Sequence, residues 1–117
     1  MLINLSNHPK STWSPEQLKA AQQQFGMVVD MAFPNVKASW STEQVAVLAL
    51  KYVDEIAALQ PKAVHVMGEM TLTYQLVKLL TKVGIPCYAS TSERLVSYDE
   101  QGNKIVRFAF EQFRAYE

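Results

Sequence analysis

Polar side chains that can bind a small anionic ligand follow three apolar segments of the chain. Ser6, Asn7 and His8 come directly after the first segment, and a histidine there can hydrogen-bond a ligand or act as a general acid or base. The structural alternative is a polar loop that ties down the turn before Pro9. The residues after the second and third segments carry a hydroxyl group or a charge, or, in the case of glycine, allow the chain to turn. They are Gly68, Glu69, Thr71, Thr73, Ser90, Thr91, Ser92 and Arg94.

The sequence GEMTLT, which contains Gly68 to Thr73, opens a predicted helix. Free backbone N–H groups and partial positive charge at such a helix start favour a phosphate, and Thr71 and Thr73 can add hydroxyl donors to a phosphate or ribose. Glu69 can accept from a ribose hydroxyl or an adenine amino group, or it can simply cap the helix. Arg94 can clamp a phosphate, or it can form a salt bridge at the start of the C-terminal hairpin.

Other chemically notable residues are interpreted as structural. His65 lies within a predicted strand and is expected in the packed interior. Trp13 and Trp40 each precede a serine N-cap, the position of a hydrophobic staple, and stacking on a nucleobase is a secondary role. Cys87 lies in an apolar strand, where burial leaves a thiol inert.

Short apolar runs alternate with amphipathic segments, which predicts an α/β fold. The fold class expected is a Rossmann-like three-layer sandwich with a mainly parallel sheet and a C-terminal antiparallel hairpin. Helix starts are predicted at Ser14 and Ser41, where each serine is followed three residues later by a glutamine. The predicted strands are Leu2–Leu5, Met27–Phe33, Val64–Met67 and Pro86–Ala89, a helix covers Thr71–Val83, and the hairpin turns around Gly102.

Right-handed crossovers bring the carboxyl ends of parallel strands to one edge of a sheet. Four loops are therefore expected to converge there, and they cover Ser6–Trp13, Phe33–Trp40, Gly68–Thr73 and Ser90–Arg94. Convergence of their polar side chains predicts a ligand site at this edge.

Length and charge limit the function. The 117 residues suffice for one domain, residues 1–117, with a single core. Eleven basic and eleven acidic residues cancel, which disfavours a protein that binds long nucleic acid through many phosphates but allows a short or cyclic nucleotide. One cysteine, no export signal and no membrane-spanning segment indicate a cytoplasmic protein.

Several familiar sites are absent from the sequence. There is no GxGxxG, no GxxxxGK[ST] and no GxSxG motif, so NAD, ATP and serine-hydrolase chemistry are disfavoured. The spacing from Cys87 to Arg94 is one residue too long for the CxxxxxR loop of cysteine phosphatases. Two histidines, one of them within a strand, make a metal centre improbable. No metal and no cofactor are expected.

The order of polar strand ends, SNHP, then GEMTLT, then STSER, resembles the CRISPR-associated Rossmann-fold (CARF) domains. It is particularly similar to the small stand-alone proteins of type III CRISPR loci, over most of the chain. The resemblance implies a homodimer that binds a cyclic oligoadenylate across its dimer axis, with a ring of four adenylates favoured. Carried over by position, it implicates the loop after the first strand, the Gly/Thr loop and, less directly, the STSER run.

The resemblance implies three possible activities. A ring nuclease would let a ribose 2′-hydroxyl attack the neighbouring phosphate without a metal, with His8 as acid or base and Arg94 on the phosphate. A noncatalytic binding protein would hold or sense the same ring. A nucleoside-processing enzyme on a related fold would use Glu69 as nucleophile or base. The aromatic C-terminal region, including Phe113 and Tyr116, is expected to form a dimer contact.

Overall fold

A computed structural model describes all residues from Met1 to Glu117. The chain forms five strands and three helices, joined near its start by a 3₁₀ turn at Lys10–Thr12. The strands are β1 (Leu2–Ser6), β2 (Val28–Ala32), β3 (Ala63–Met67), β4 (Cys87–Tyr98) and β5 (Lys104–Ala115). The helices are α1 (Pro15–Phe25), α2 (Thr42–Leu59) and α3 (Met70–Lys82), and none is long and apolar enough to cross a membrane.

The five strands form one sheet in the order β2-β1-β3-β4-β5. The first four are parallel, and β5 pairs antiparallel with β4. Residues of α2 and α3 pack on one face of the sheet, while α1 packs on the other. The predicted α/β class, with three layers, a mainly parallel sheet and a C-terminal antiparallel pair, is therefore confirmed.

Alternation along the strands divides the core into two layers. On β1 and β3, Ile3, Leu5, Val64 and Val66 face α2 and α3, whereas Leu2 and Ala63 pack with Ala21 and Phe25 of α1. Asn4, Ser6 and His65 share the α1 side by the same alternation and are also buried. The α1 face of the sheet thus becomes polar toward the carboxyl ends of its strands.

The two predicted serine N-caps hold their helices. The Ser14 hydroxyl accepts from the Gln17 N–H at 3.1 Å, with Pro15 at the start of α1. At Ser41 the capping box is complete, because the Gln44 side chain also accepts from the Ser41 N–H at 2.7 Å. These local bonds fix the residues at which α1 and α2 begin.

The polar run from Ser90 to Arg94 lies inside β4, so its prediction as a loop is wrong. Only Cys87 and Tyr88 of β4 pair with β3, and the strand then continues to Tyr98 with β5 as its single partner. Because β5 satisfies the backbone groups of this segment, its serines and threonine do not need to end the strand. The outer parts of β4 and β5 form a two-stranded extension that we call the arm, residues 92–110.

A β-bulge lies where the arm leaves the sheet. Thr91 pairs with Gln112 and Ser92 pairs with Phe110, so Glu111 is the extra residue of β5. Without that extra residue, Phe110 and Phe113 would point to opposite faces. The bulge instead lets both rings pack on the α1 side, 5.0 Å apart, and they close one end of the polar region.

Candidate functional site

A cavity of about 700 Å³ lies on the α1 side of the sheet, at the carboxyl ends of β1 and β3. The loop after β1 contributes His8 and Trp13, the start of α1 contributes Gln17, and β3 contributes His65 and Met67. Ser90 and Ser92 of β4 form the third side, and Phe108 and Phe110 of the arm complete the wall. The cavity therefore combines hydroxyl groups, both histidines of the chain and aromatic rings.

Four polar side chains on four adjacent strands of the sheet form a continuous hydrogen-bonded chain beside this cavity. Asn4 Nδ2 lies 2.9 Å from Asp30 Oδ1, and Asn4 Oδ1 lies 2.8 Å from His65 Nδ1. His65 Nε2 lies 3.2 Å from the Ser90 hydroxyl oxygen. The strand register explains the row, because Asn4 is the direct partner of both Asp30 and His65. The chain runs from β2 to β4 and ends at the cavity wall.

His65 is 2% exposed, and its environment keeps the imidazole neutral. Burial, and to a smaller extent the nearby charge of His8, lowers its pKa from 6.5 to about 4. A neutral imidazole at pH 7 has one nitrogen that donates and one that accepts. Both nitrogens of His65 have partners, so this buried ring is fully satisfied within the chain of side chains.

Aromatic rings enclose His65 on the α1 side. The Trp13 ring meets it edge to face with centroids 5.3 Å apart, and Phe113 does so at 5.7 Å. Trp13 also packs in the same apolar cluster as Leu18, the residue with which the staple prediction paired it. Trp13 thus has a packing role and at the same time lines the cavity, while Trp40 packs on the opposite layer.

The loop after β1 is held by hydrogen bonds between its backbone groups and side chains. The His8 carbonyl accepts from Asn4 Nδ2 at 2.9 Å and from Trp13 Nε1 at 3.0 Å. The Ser6 hydroxyl accepts from the His8 N–H at 3.2 Å, and the Lys10 N–H donates to Asp30 Oδ1 at 3.0 Å. These bonds place the exposed His8 side chain at the cavity while its backbone is anchored to the polar chain of the sheet.

At the second predicted segment, Glu69 is the N-cap of α3. Its carboxylate accepts from the Thr71 N–H at 3.1 Å, from the Leu72 N–H at 2.9 Å and from the Thr71 hydroxyl at 2.7 and 2.8 Å. The Leu72 N–H, followed by the two groups of Thr71, lowers the pKa of Glu69 below its usual value. The capping alternative for Glu69 is therefore realised, and its carboxylate occupies the N–H groups proposed for a phosphate.

The predicted ligand residues do not share one cavity. His8, Ser90 and Ser92 line the large cavity, Ser6 and Asn7 line a cavity of about 280 Å³ beside Asp30, and Gly68 and Thr73 line one of about 340 Å³ beside Tyr116. Glu69, Thr71, Thr91 and Arg94 line none of the three. The Thr91 hydroxyl accepts from the Gln112 N–H within the hairpin, and the Thr73 hydroxyl is buried without a partner.

Gly68 shows why the turn after β3 needs glycine. A Cβ at this position would lie 2.5 Å from the Phe33 ring, which no side chain tolerates without displacement. The ring comes from the loop after β2, so a larger residue at position 68 must displace the Phe33 side chain. This is a packing requirement at the position for which ligand contact was predicted.

Sequence reasoning missed Asn4 and Asp30 and assigned His65 to the interior without a partner. The signal that could have revealed them is a polar residue at a position that the strand period makes buried, since buried polar groups are almost always hydrogen-bonded. Asn4 and His65 stand in LINLS and AVHVM, each at the centre of a buried strand. Only the strand order makes them neighbours.

Two further predictions concern cysteine and metals. Cys87 is buried, and burial raises the pKa of its thiol to about 12, as expected for an unreactive cysteine. The structure has no group of three or more His, Cys, Asp or Glu side chains placed to hold a metal ion.

The fold and this cavity define a small Rossmann-like α/β protein with a polar site at the carboxyl ends of its parallel strands. A family model described as the uncharacterized protein MJ1673 family matches residues 1–114, so the chain belongs to that family. A comparison with curated proteins gave no match.

Proposed function

We propose that this protein binds a cyclic oligoadenylate, with the four-adenylate ring favoured, and cleaves it without a metal ion. The observation that supports this proposal is the large cavity in which His8, His65, Ser90 and Ser92 meet aromatic walls at the strand ends. Its volume of about 700 Å³ falls in the usual range for small-molecule sites. Cleavage would end the signal that such a ring carries, which is the role implied by the resemblance to CARF proteins of type III CRISPR systems.

The cavity wall suits ribonucleotides. The Ser90 hydroxyl can hydrogen-bond a sugar hydroxyl, the Ser92 hydroxyl can hydrogen-bond a phosphate, and the rings of Trp13 and Phe108 offer faces or edges to an adenine. Phe108 is 69% exposed, so its ring is available to a ligand. Because the site carries few charges of its own, the phosphates require cations from elsewhere in the molecule.

The arm supplies those cations. Arg94 pairs across the hairpin with Phe108, and Lys104 pairs with Tyr98, so both cations share the face that continues from Ser92 and Phe110. Val96 and Val106, a direct pair between them, make the same face apolar. We propose that two copies meet on this face as a homodimer. Two Arg94 and two Lys104 side chains then surround a ring with four phosphates. The negative charge of the phosphates offsets the repulsion between the two positively charged faces.

The proposed reaction is an in-line displacement. The 2′ oxygen of one ribose forms a bond to the adjacent phosphorus and loses its proton, and the bond from phosphorus to the 5′ oxygen breaks. The 5′ oxygen takes up a proton, which leaves a 2′,3′-cyclic phosphate and a 5′-hydroxyl. His8 is the exposed imidazole at the cavity and serves as the acid or base, and Arg94 stabilises charge on the phosphate.

The test is incubation of the protein with cyclic tetra-adenylate in EDTA, followed by liquid chromatography, with calorimetric titration in parallel. Linear products with 2′,3′-cyclic phosphate ends support the nuclease. Tight binding of an intact ring instead identifies the alternative, a protein that only sequesters or senses the ring. Absence of binding contradicts the proposed function. A nucleoside-processing activity through Glu69 would turn over adenosine and ignore the ring.

Two variants divide the proposed roles. His8→Ala lowers the cleavage rate by about a hundredfold or more while the affinity changes little, since general acid–base catalysis contributes about that much. Arg94→Ala weakens binding, and Arg94→Lys restores part of it because the charge is kept. An unchanged cleavage rate in His8→Ala removes His8 from the mechanism. His8→Gln, which can hydrogen-bond but not transfer a proton in the same way, is the control for position alone.

A further inference from the structure

The hydrogen bonds of Asn4 have a fixed direction. One side of its amide group faces the His8 carbonyl and the Asp30 carboxylate, at 2.9 Å each, and both partners can only accept. That side must be the NH₂ group. The amide oxygen consequently faces His65 and the Ser6 hydroxyl, and it can only accept from them.

The tautomer of His65 follows from Asn4. Since Asn4 Oδ1 accepts, His65 Nδ1 must carry the proton that it receives, at 2.8 Å. A neutral imidazole has a single N–H, so Nε2 is left with a lone pair. That lone pair faces the Ser90 hydroxyl at 3.2 Å.

Ser90 has one proton and two acceptors within reach. Its hydroxyl oxygen lies 3.2 Å from His65 Nε2 and 3.2 Å from the thioether sulfur of Met67. An imidazole nitrogen is a much better acceptor than a thioether, and His65 Nε2 has no other donor. The Ser90 proton therefore points to His65, while the Met67 sulfur accepts from the Ser90 N–H at 3.3 Å.

We propose that the chain Asp30–Asn4–His65–Ser90 fixes the Ser90 hydroxyl as a hydrogen-bond acceptor toward the large cavity, where it selects the attacking ribose 2′-hydroxyl. This inference rests on the proposed function and assigns a specificity-determining residue to that site. With its own proton committed to His65, Ser90 offers only lone pairs to a ligand. Phosphate oxygens and adenine ring nitrogens are acceptors and are rejected at this position.

Two kinds of donor remain on an oligoadenylate, the 2′-hydroxyl and the adenine amino group. The 2′-hydroxyl fits because Ser90 and His8 line the same cavity, so that the group held at Ser90 lies on the wall where the acid–base residue acts. A hydrogen bond donated to Ser90 also orients the 2′ oxygen for attack. The four-residue chain behind Ser90 keeps this acceptor in place without reorganisation.

The test compares cyclic tetra-adenylate with its 2′-fluoro analogue, whose fluorine cannot donate. Binding is followed by tryptophan fluorescence in the first seconds, with product analysis to verify an intact ring. The wild-type protein prefers the ribose ring by about tenfold or more, because the analogue leaves Ser90 unpaired. In Ser90→Ala this ratio falls to about threefold or less. Ser92→Ala, which removes a hydroxyl from the same wall but has no bond to His65, keeps the wild-type ratio even if both ligands bind more weakly.

Each result decides a separate point. Ring binding with the same ratio in wild type and Ser90→Ala overturns the role of Ser90 and leaves the proposed function intact. The role of Ser90 is also overturned if the affinity that depends on Ser90 is lost when the adenine amino group is replaced, as in a cyclic tetra-inosinate, and not when the 2′-hydroxyl is replaced. No binding of any ring overturns both proposals. Nitrogen-15 NMR of the free protein checks the chain without a ligand, and it shows His65 protonated at Nδ1; a proton at Nε2 contradicts the inference.

Discussion

At the scale of single residues, His65 shows how one buried group can organise several neighbours. Its ring is satisfied by Asn4 and Ser90 through side-chain bonds and is enclosed by Trp13 and Phe113. Burying a neutral imidazole with both nitrogens paired costs little, whereas burying its cation is expensive. His65 therefore couples the stability of the fold to pH.

We predict that the folded state loses stability as pH falls from about 6.5 to 4. In this window the unfolded chain binds a proton at His65, but the folded chain does not, because its pKa is lowered to about 4. The shift corresponds to a loss on the order of 3 kcal/mol across the window. Urea unfolding at pH 7, 5.5 and 4.5 measures it.

The control is His65→Gln, which cannot take up a proton. This variant is less stable at pH 7, but its free energy of unfolding depends less steeply on pH than that of the wild type. Two titratable groups act on His65: His8, on the loop after β1, through its charge, and Asp30, which is linked to His65 through Asn4. Equal slopes for both proteins would assign the pH dependence to groups other than His65.

At the scale of secondary-structure elements, the start of α3 is a self-contained anion site that the chain fills itself. Glu69 satisfies the N–H groups of Thr71 and Leu72, and it lies where the partial positive charge of the helix favours a carboxylate. A phosphate at this place must displace Glu69. The cavity with His8 and Ser90 has no such internal competitor.

We predict that Glu69→Ala lowers the free energy of unfolding by about 1 kcal/mol, the usual effect of a lost helix cap. Glu69→Gln has a smaller effect, since its amide oxygen can still accept from one N–H. Glu43→Ala is the matched control, because Glu43 lies in the first turn of α2 without being its cap. Chemical unfolding of the three variants provides the comparison, and equal losses for Glu69→Ala and Glu43→Ala would argue against the cap.

At the scale of the whole molecule, the arm is the part with the least internal support. Beyond the bulge, β4 and β5 have only each other as partners, and an isolated two-stranded hairpin is marginally stable in water. Its α1-side face exposes Val96, Tyr98, Val106 and Phe108. The homodimer proposed above would cover this surface.

We predict that Val106→Glu converts the proposed homodimer to a monomer, as measured by sedimentation velocity. Val106 is 39% exposed on the face with Val96, and a charge there must be buried at the interface. Ile105→Glu is the matched control. Ile105 is the adjacent residue with 41% exposure, it receives the same charge, and its pairing with Ser97 places it on the opposite face.

The two substitutions also identify the interface if the prediction fails. A monomer with Ile105→Glu and a dimer with Val106→Glu would place the contact on the other face of the arm. A wild-type protein that is monomeric both with and without cyclic tetra-adenylate would contradict the homodimer itself.

The order and type of the elements were determined by local sequence. Serine caps at Ser14 and Ser41, apolar periodicity and the turn at Gly102 act within a few residues, so they predict helices, strands and hairpin with bounds close to those observed. The end of β4 was the exception. Its hydroxyl-rich run indicates a loop by composition, but pairing with β5, a partner distant in sequence, keeps it extended.

The site depended on tertiary structure. The sequence supplied His8, Ser90 and Ser92 as candidates, because polar residues at strand ends are visible in one dimension. It did not supply the chain from Asp30 to Ser90, since these residues come from four strands and become neighbours only through the order β2-β1-β3-β4. Local periodicity tells which side chains are buried, and only the packing of strands distant in sequence decides which buried polar groups satisfy one another.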